Sequence, residues 1–291
     1  VLQEHGVNIA VIADARTVLS PAAEAARTAG LRVEPGMLPK SAIGGHTVRE
    51  LELQRADGST AEKVECDCIA MSSGYSPDAH LVSQTGVAPI WDDQLLGFVP
   101  DTPIRRERSA GAGRGTFDLQ NCLTEGHQAG REAAKAAGLA VGRATKGPAS
   151  AATDMAAPLA VWRCPGTGKA FVDFQNDVTA KDIHLANQEG FSSVEHAKRY
   201  TTLGMATDQG KLSNINGLAV LADSLNADIP QVGTTTFRPP YHPISMGAIG
   251  GEARGDLFKV IRRSPIHEWT DTNGGFWEPV GDWRRPYCYK K

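Results

Sequence analysis

The chain has 291 residues, 41% of them hydrophobic, and a formal net charge of −3, which is sufficient for roughly two domains. Without a dominant basic patch, nucleic acid is excluded as an expected partner, and no apolar run approaches the roughly 18 residues of a membrane span. The opening residues lack the basic and apolar regions of a secretory signal, and five scattered cysteines favour a reducing, cytoplasmic setting over a disulfide scaffold.

The first elements predicted along the chain form a β-α-β unit. The apolar run 7–12 is typical of a buried parallel strand, and Asp14 follows at its carboxyl end. Ser20 followed by a proline predicts the start of a helix, because serine is a preferred N-cap and proline fits the first helical position. Gly30 predicts the end of that helix, and residues 31–34 form the next predicted strand.

A β-hairpin and a sharp turn are predicted next. Residues 48–55 and 59–70 alternate in polarity on either side of an Ala-Asp-Gly turn. Cys66 and Cys68 are two residues apart on the second strand, so they would share one face, and we interpret them as buried thiols. A tight turn follows this strand over residues 72–77.

A longer helix is predicted over residues 121–137, with its end at Gly138. Gly126 and Gly130 lie on one side of it, and small residues at that spacing let a helix approach a sheet or a ligand closely. Over residues 141–158 the composition then turns to Ala, Gly, Ser, Thr and Pro, which predicts a linker.

Three short helices beyond the linker predict a small α-helical domain. Thr179 with Asp182 begins the first, and Ser192 with Glu195 forms a capping box for the second. The third ends before Pro230 and has apolar residues at helical spacing: Leu212, Ile215, Leu218, Ala219, Ala222 and Leu225.

The remainder of the chain is extended and proline-rich from residue 234, and residues 264–289 are typical of the start of another folded unit. The sequence opens directly on a strand pattern and closes just after a Trp-, Gly- and Pro-rich run. We therefore expect further sequence on both sides.

Asp14 is the first candidate binding residue. An acidic residue at the end of the second strand of a Rossmann unit accepts hydrogen bonds from an adenosine ribose; the alternative is a surface carboxylate that begins the loop to the helix. The glycine-rich turn that usually accompanies it would lie about 20 residues upstream, outside this sequence. Arg16 could accept a 2′-phosphate, although a solvated side chain is the favoured interpretation.

Two further segments suit a dinucleotide. Gly74 and Pro77 follow the second hairpin strand and place tight backbone where a dinucleotide can approach main-chain N–H groups, although such turns are common. Gly111 and Gly113 belong to a glycine-rich loop before a helix, which fits either a pyrophosphate at a helix N-terminus or a flexible loop. The arginines before this loop are interpreted as a solvated run: Arg105, Arg106 and Arg108.

No catalytic residue and no metal site are predicted. The eight histidines lack metal-ligand spacing, no serine lies in a nucleophile elbow, and no carboxylate pair stands out. These residues do not form the pattern of a self-contained catalytic centre.

The order of these features resembles a known arrangement. The strand ending at Asp14, the turn with Gly74 and Pro77, and the Ala110-Gly111-Ala112 loop before a helix resemble the second half of a pyridine-nucleotide-disulfide-oxidoreductase-like domain. In that fold an inserted nucleotide domain rejoins its parent domain, and the turn and the loop mark the rejoining part.

The segment 171–183, continued over 198–211, resembles a small helical domain related to bacterioferritin-associated ferredoxin. Relatives of this domain in amine and opine oxidases hold a [2Fe–2S] cluster with cysteines. Here Asp-Phe-Gln at 173–175 stands where a C-x-C would be, and neither 206–208 nor 212–214 contains a cysteine. Because iron–sulfur ligation needs thiolates, we expect no cluster.

The last part of the chain narrows the family. Segment 235–251 resembles the linker of the alpha subunits of heterotetrameric sarcosine oxidase, which keep the helical domain without the cluster. Segment 263–286 is similar to the start of a glycine-cleavage T-protein (aminomethyltransferase) domain. The resemblance spans essentially the whole chain.

The resemblance implies an α/β fold in four regions. A partial Rossmann-like, pyridine-nucleotide-disulfide-oxidoreductase-type domain, N-terminally truncated, would occupy residues 1–142, and a linker residues 143–165. A small α-helical domain of the bacterioferritin-associated ferredoxin type, without cluster cysteines, would occupy 166–232. Residues 233–291 would form a linker and the beginning of a folate-binding aminomethyltransferase-like domain.

The resemblance also implies an oxidoreductase acting on CH–NH groups. Sarcosine would be oxidatively demethylated to glycine, with oxygen as acceptor and peroxide as product, and the one-carbon unit would pass to tetrahydrofolate. The expected partners are the beta, gamma and delta subunits of the same oxidase, and the isolated segment is expected to be inactive.

The cofactors that the resemblance implies follow from one difference between this sequence and that of flavoprotein reductases. Ala112 stands where flavoprotein reductases have an aspartate that contacts flavin, so the resemblance implies NAD in this subunit, with FAD and FMN elsewhere in the complex. The residues expected on the nucleotide side are Asp14, Gly74, Pro77, Gly111 and Gly113. Two alternatives stay open: a subunit of another FAD-dependent amine, opine or proline dehydrogenase, and a non-catalytic NAD-binding scaffold.

Overall fold

The computed structural model describes residues 2–59, 61–102, 107–143, 147, 149–150, 156–166, 168–239 and 241–289. The chain divides into two compact units, Val1–Tyr241 and His242–Lys291. Both contain helices and strands, which agrees with the predicted α/β class. Two residues named above, Arg105 and Arg106, lie outside the described part of the chain, as does much of the predicted linker over residues 141–158.

The first unit opens on the predicted β-α-β arrangement. Strand β1 (Ile12–Asp14) pairs in parallel with β2 (Val33–Pro35), and helix α1 (Pro21–Thr28) connects them. The first strand is shorter than the predicted 7–12 and lies further along the chain, because its pairing with β2 begins only at Ile12.

The ends of α1 follow the sequence signals. Ser20 is the N-cap, and its Oγ accepts a hydrogen bond from the amide of Ala23 at 3.2 Å. This bond satisfies one of the amide groups that the first turn of a helix leaves without an intrahelical partner. Gly30 follows the last turn with a φ of 87°, the left-handed conformation that glycine adopts without steric cost.

A three-stranded antiparallel sheet follows, in the order β3 (Met37–Gly44), β4 (Val48–Arg55) and β5 (Ala61–Glu65). The predicted hairpin is confirmed, and Gly58 in its turn has a φ of 74°. A small apolar cluster covers this sheet and consists of Met37, Leu53 and Val64, with Val11 and Leu51 packed against it.

The two cysteines after this sheet do not lie on a strand. Cys66 is half-buried, Cys68 is exposed, and both are free thiols. The prediction that they share a buried strand face is therefore wrong, because β5 ends at Glu65, where its pairing with β4 ends.

The chain then forms a short helix, a small hairpin and a long helix. These are α2 (His80–Ser83), the antiparallel strands β6 (Ile90–Asp92) and β7 (Gly97–Val99), and α3 (Leu119–Ala136). The predicted helix over 121–137 is confirmed, and Gly138 follows it with a φ of 76°.

The helical region begins with a small antiparallel pair, β8 (Phe171–Asp173) and β9 (Val178–Thr179). Its helices are α4 (Ala180–Gln188), α5 (Val194–Thr201), α6 (Asn214–Leu225) and α7 (Ile229–Val232). The predicted succession of three short helices is thereby confirmed, with α7 as an additional turn that begins near Pro230.

The largest apolar core lies in this helical region, where Ile183, Leu218 and Leu221 are 1% exposed. The β6–β7 hairpin contributes to the same core, since Phe98 is buried in it and Trp91 packs against it. The two aromatic rings lie 5.2 Å apart at a steep angle. Residues far apart in sequence therefore share one core.

One predicted cap is confirmed and one is wrong. Asp182 Oδ2 accepts hydrogen bonds from both the amide and the hydroxyl of Thr179, each at 2.7 Å, which completes a capping box for α4. Helix α5 instead begins after Ser193, one residue beyond the predicted Ser192. The carboxylate of Glu195 accepts from the amide of Thr236 at 2.7 Å, so it serves a distant segment rather than a local cap.

Residues 234–239 and Tyr241, which we call the strap, have no regular secondary structure and lie at the carboxyl-terminal end of the first unit. The side chain of Gln84 donates to the carbonyl of Phe237 at 2.6 Å. The ammonium of Lys211 lies 3.7 Å from the centre of the Tyr241 ring. Burial raises the pKa of Tyr241 to about 12, so the phenol stays neutral at physiological pH.

The second unit contains helices α8 (Met246–Gly250) and α9 (His267–Thr272) and the antiparallel strands β10 (Gly275–Val280) and β11 (Trp283–Tyr289). The imidazole of His267 stacks on the Trp277 ring, with centres 4.1 Å apart. Among the described residues of the chain, no helix has both the length and the apolar character needed to cross a bilayer.

The capping box of α4 yields a test of stability against pH. Hydrogen bonds from Thr179 lower the pKa of Asp182, so its contribution is present above the unfolded-state pKa and is lost as pH falls through the folded-state pKa. Asp182→Asn should cost about 1 kcal/mol of unfolding free energy at pH 7, and less below about pH 3. Urea denaturation at both pH values measures this difference.

Asp223→Asn is the matched control, since Asp223 is an exposed carboxylate on α6. A loss for Asp182→Asn that is equal at both pH values would show that the ionised carboxylate does not cap the helix.

Candidate dinucleotide-binding site

The end of β1 carries a tightly paired carboxylate. Asp14 Oδ1 accepts hydrogen bonds from the amide of Arg16 at 3.0 Å and from its Nε at 2.9 Å, and Oδ2 accepts from Nη2 at 2.8 Å. The side chain of Asp14 is 11% exposed. The hydrogen bonds from the guanidinium of Arg16 hold the pKa of this carboxyl below its usual value, so it is ionised at neutral pH.

This pairing determines how many hydrogen-bond acceptor positions of the Asp14 carboxylate remain for a ligand. A carboxylate has about four acceptor positions, and Arg16 occupies two on Oδ1 and one on Oδ2. One acceptor position on Oδ2 remains for a donor such as a ribose hydroxyl. The favoured interpretation of Arg16 as a solvated side chain is wrong, because its guanidinium forms a two-point pair with Asp14.

The turn after the sheet has one exposed and one buried candidate. Gly74 is exposed, with a φ of 122° that favours glycine. Pro77 is buried between the β6–β7 hairpin and the glycine-rich loop. Its ring lies 3.3 Å from where a Cβ on Gly97 would stand and 3.6 Å from the same position on Gly115. Pro77 therefore positions the loop through packing.

The glycine-rich loop is an ordered turn rather than a flexible segment. Residues Gly111–Arg114 form a single 3₁₀ turn, which the hydrogen bond from Thr116 N to the carbonyl of Gly111 closes at 3.1 Å. The side chain of Cys122 on α3 donates to the carbonyl of Thr116 at 3.0 Å. Gly111 is buried with a φ of 65°.

Glu125 on α3 holds this loop, and no sequence signal pointed to it. Its Oε2 accepts from the amide of Gly111 at 2.9 Å, and its Oε1 accepts from the hydroxyl of Thr116 at 2.7 Å. The amide of Gly111 is thus engaged by an internal carboxylate. Gly113 is a less restricted position, since a Cβ there would lie 3.7 Å from the carbonyl oxygen of Asp78.

The structure thus brings together some of the predicted residues and not others. Pro77, Gly111 and Gly113 lie in one packed region, where the turn, the loop and the start of α3 meet. The hydrogen bonds described for the Asp14 carboxylate, by contrast, come from Arg16 alone. Arg108 is exposed and lies 3.9 Å from a carboxylate oxygen of Glu132, which agrees with a solvated run.

The glycine face of α3 is open within the described part of the chain. Apart from adjacent residues and the backbone of α3 itself, no atom there lies within 4 Å of the position that a Cβ would take on Gly126 or Gly130. A groove of about 470 Å³ runs along this face, and the guanidinium of Arg131 donates to the carbonyl of Gly142 at one end of it at 2.9 Å. Within the described residues, no sheet makes the close approach to this face of α3 that was predicted.

A second polar centre lies in the helical region, where related domains carry the cysteines of an iron–sulfur cluster and this chain does not. Asp173, at the end of β8, is 2% exposed. Its Oδ1 accepts from the amides of Gln175 at 2.9 Å and Asn176 at 3.1 Å, and its Oδ2 accepts from the amide of Gly204 at 2.7 Å. These backbone donors compensate the cost of burying a carboxylate.

Oxygen- and amide-bearing side chains surround this centre. Gln175 Oε1 accepts from the hydroxyl of Thr207 at 3.1 Å and from the amide of Asp208 at 3.4 Å. Asn214 packs so closely on Gly210 that a Cβ there would lie 2.1 Å from its Oδ1. The segments around residues 174, 207 and 213 therefore converge, but they present oxygen and amide groups where an iron–sulfur cluster needs thiolates, so they do not fit one.

Comparisons with known proteins cover nearly the whole chain. Residues 167–253 match the family model described as the sarcosine oxidase A3 domain. Sarcosine oxidase subunit alpha of Rhizobium meliloti (strain 1021) is 36% identical over 285 residues, which cover 98% of this chain and 28% of the relative. Those of Corynebacterium sp. strains P-1 and U-96 are 36% and 35% identical, covering 99% of this chain and 31% of each relative.

A solved structure of L-proline dehydrogenase from P. horikoshii aligns with a TM-score of 0.56 at 17% identity, covering 82% of this chain and 49% of that one. This likeness concerns the fold. The chain spans about three-tenths of the length of the curated relatives it matches. The resemblance to sarcosine oxidase alpha subunits, predicted from the sequence, is confirmed.

Two glycines of the loop should differ in how much stability an added side chain costs, because only one of them is tightly packed. Gly115 has a φ of 97°, and a Cβ on it would lie 2.6 Å from Leu95 Cδ1 and 3.2 Å from Val99 Cγ1. Gly115→Ala should therefore cost about 1–3 kcal/mol of unfolding free energy, whereas Gly113→Ala should cost less than about 1 kcal/mol. Thermal and urea unfolding of both variants measure the difference; equal losses would contradict the packing around Gly115.

The buried carboxylate of Asp173 should be a main determinant of stability in the helical region. Asp173→Asn removes the charge that three backbone amides bind and should cost about 2–4 kcal/mol of unfolding free energy. Asp177→Asn is the matched control: Asp177 lies on the same turn, is exposed and has a φ of 53°, which asparagine tolerates. Similar losses for the two variants would exclude the buried hydrogen bonds as the cause.

Proposed function

Because this chain is related over nearly its whole length to the alpha subunits of sarcosine oxidase, we propose that it is the corresponding part of a flavin-dependent amine oxidase. In this proposal the complete enzyme is a heterotetramer with beta, gamma and delta subunits. The free state of all five cysteines supports a reducing, cytoplasmic setting.

The proposed reaction is the oxidative demethylation of sarcosine. Two electrons and two protons leave, one proton from the amine nitrogen and one from the methyl carbon, as the C–N single bond becomes the C=N bond of an imine. Oxygen finally takes up both electrons and both protons to give hydrogen peroxide. Tetrahydrofolate captures the one-carbon unit as methylene-tetrahydrofolate, which releases glycine. FAD and FMN serve the redox steps elsewhere in the complex, and the isolated segment is inactive because the described residues include no complete catalytic centre.

The role of this segment in the enzyme would be to bind NAD. The observation that carries the proposal is the Asp14 carboxylate, which is ionised, held at the carboxyl end of β1 in a β-α-β unit, and has one acceptor position left on Oδ2. A ribose hydroxyl fits that position. Gly74, Pro77, Gly111 and Gly113 would shape the approach of the rest of the dinucleotide, with Glu125 holding the loop in place.

The helical region would act as a bridge without a redox centre of its own. Asp173 and its amide donors stabilise the turns that a cluster would otherwise organise. Relatives that act on proline or opines and carry an iron–sulfur cluster in this region would need thiolates here, so the oxygen-rich centre favours sarcosine oxidase over that alternative. Residues 233–291 would lead into a folate-binding aminomethyltransferase-like domain.

A different role, as an NAD-binding scaffold, is supported by one observation. The amide of Gly111 is already bound by Glu125, so the loop offers fewer donors to a pyrophosphate than an active dinucleotide site would. In that case the bound nucleotide would stabilise the subunit without exchanging electrons.

Cofactor extraction from the native complex, purified through this chain, tests the proposal. The complex is denatured, protein is separated from supernatant, and nucleotides, flavin and iron are quantified. We expect NAD and FAD in the supernatant and no stoichiometric iron. Iron and sulfide at cluster stoichiometry in this chain would refute the assignment and favour the opine or proline dehydrogenases.

The same complex distinguishes the two roles of the nucleotide. If NAD takes part in the redox chemistry, NADH should appear among the nucleotides extracted after anaerobic reduction by sarcosine and separated from flavin, where its absorbance at 340 nm distinguishes it from NAD⁺. An unchanged nucleotide during continuous turnover would support the scaffold role.

A further inference from the structure

A groove of about 300 Å³ lies on the surface of the helical region, where the turn between β8 and β9 meets the helices α4 and α5. The lining residues that determine its chemistry come from these three elements: Asn176, Asp177, Asp182, Leu185 and Tyr200. All the residues proposed above to bind the dinucleotide precede α4 in the chain, so none of them lines this groove.

Hydrogen bonds hold the walls of the groove in place. Asn176 Nδ2 donates to the carbonyl of Thr202 at 2.9 Å, which joins the turn to the end of α5. The hydroxyl of Tyr200 donates to Glu189 Oε2 at 2.7 Å, which joins α5 to the end of α4. The capping box at Thr179 fixes the start of α4. The groove is therefore preformed, and an occupant would not have to order its walls.

The groove carries negative charge with open acceptor positions. Asp177 is exposed, and its carboxylate forms no hydrogen bond or ion pair with the residues that the structure describes. Both hydrogen bonds from Thr179 end on Asp182 Oδ2 and lower the pKa of this carboxyl, which leaves Oδ1 for a further donor. Among the described residues that line the groove, none is a lysine or an arginine, so the lining does not neutralise its own charge.

Half-exposed apolar surface lies beside these carboxylates. Leu185 is 43% exposed and Tyr200 is 40% exposed. The Phe191 ring packs against Tyr200 with centres 4.8 Å apart, which fixes the orientation of the tyrosine ring. Long cationic side chains bury their methylene stems on apolar surface and keep the charged end free, and an aromatic face attracts that charge. The groove thus complements a lysine or arginine side chain in both shape and charge.

We propose that this groove is the docking site for a lysine or arginine side chain of a partner subunit. The relatives are alpha subunits, which implies other subunits, and the matching sarcosine oxidase A3 domain, residues 167–253, contains the whole groove. Arginine and tyrosine are enriched among the residues that dominate binding at interfaces. The proposal rests on the multi-subunit enzyme proposed above, and it adds the surface that a partner contacts and the charge that the partner brings.

Site-specific photo-crosslinking in the full-length protein with its partner subunits tests this proposal. Benzoylphenylalanine is placed at Leu185, inside the groove, and as a control at Asp223, an exposed position on α6. Crosslinked peptides of the irradiated complex are identified by mass spectrometry. We expect position 185 to crosslink to a peptide of another subunit next to a lysine or arginine, whereas position 223 should not reach that peptide.

Variants of the groove should also weaken assembly with the partner. Asp177→Asn should raise the Kd about 10-fold, and Leu185→Arg, which puts a competing cation in the groove, should raise it at least as much. The matched controls change an exposed aspartate and an exposed leucine outside the lining, and Asp223→Asn and Leu212→Arg should change the Kd less than about twofold. Mass photometry of diluted complexes measures dissociation, and the effect of Asp177→Asn should shrink at high salt because ions screen the pair.

The docking site is overturned if position 185 crosslinks to no other subunit, or only to a peptide without a lysine or arginine nearby. It is also overturned if the groove variants dissociate like their controls. Any of these results, with the partner subunits still purifying with this chain, leaves the proposed multi-subunit enzyme standing. If the full-length protein instead purifies without other subunits, the proposed assembly and this docking site both fail.

Discussion

The buried carboxylate of Asp173 is the interaction on which the helical region depends. It lies at the end of a three-residue strand and accepts from two amides of its own turn and from Gly204 beyond α5. A buried carboxylate is costly unless hydrogen bonds compensate it, so these donors must stay in place for the region to fold. The positions of β8 with its turn and of the α5–α6 connection are therefore coupled through one side chain.

Internal carboxylates also accept hydrogen bonds from loop donors in the part of the chain proposed to bind a nucleotide. Glu125 binds the amide of Gly111, and Asp14 binds the amide of Arg16 and its guanidinium. In each case an internal carboxylate satisfies donors in a loop that could otherwise be flexible or bind an external anion. The loops are consequently preorganised, and what remains for a ligand is the small number of acceptor and donor positions that these pairs leave open.

Sequence reasoning succeeded where the cause of a structure lies within a few residues. The cap at Ser20 and the box at Thr179 were predictable because donor and acceptor are three residues apart. It failed where the deciding partner is distant: Glu195 binds an amide 41 positions away instead of capping α5. Nor could periodicity reveal that Glu125 reaches back to Gly111, or that Phe98 belongs to the helical core, because both depend on tertiary packing.

The shared core and the strap together have a consequence for how this segment can evolve. Phe98 and Trp91 fill the helical core from outside the helical region, and the strap is tied both to Lys211 and to Gln84 near α2. A recombination point in the linker between the two parts would separate these aromatic rings from the helices they pack on. Exchange of the helical region among homologous subunits would thus leave an unfilled core unless the β6–β7 hairpin travelled with it, so inheritance should keep the two pieces together.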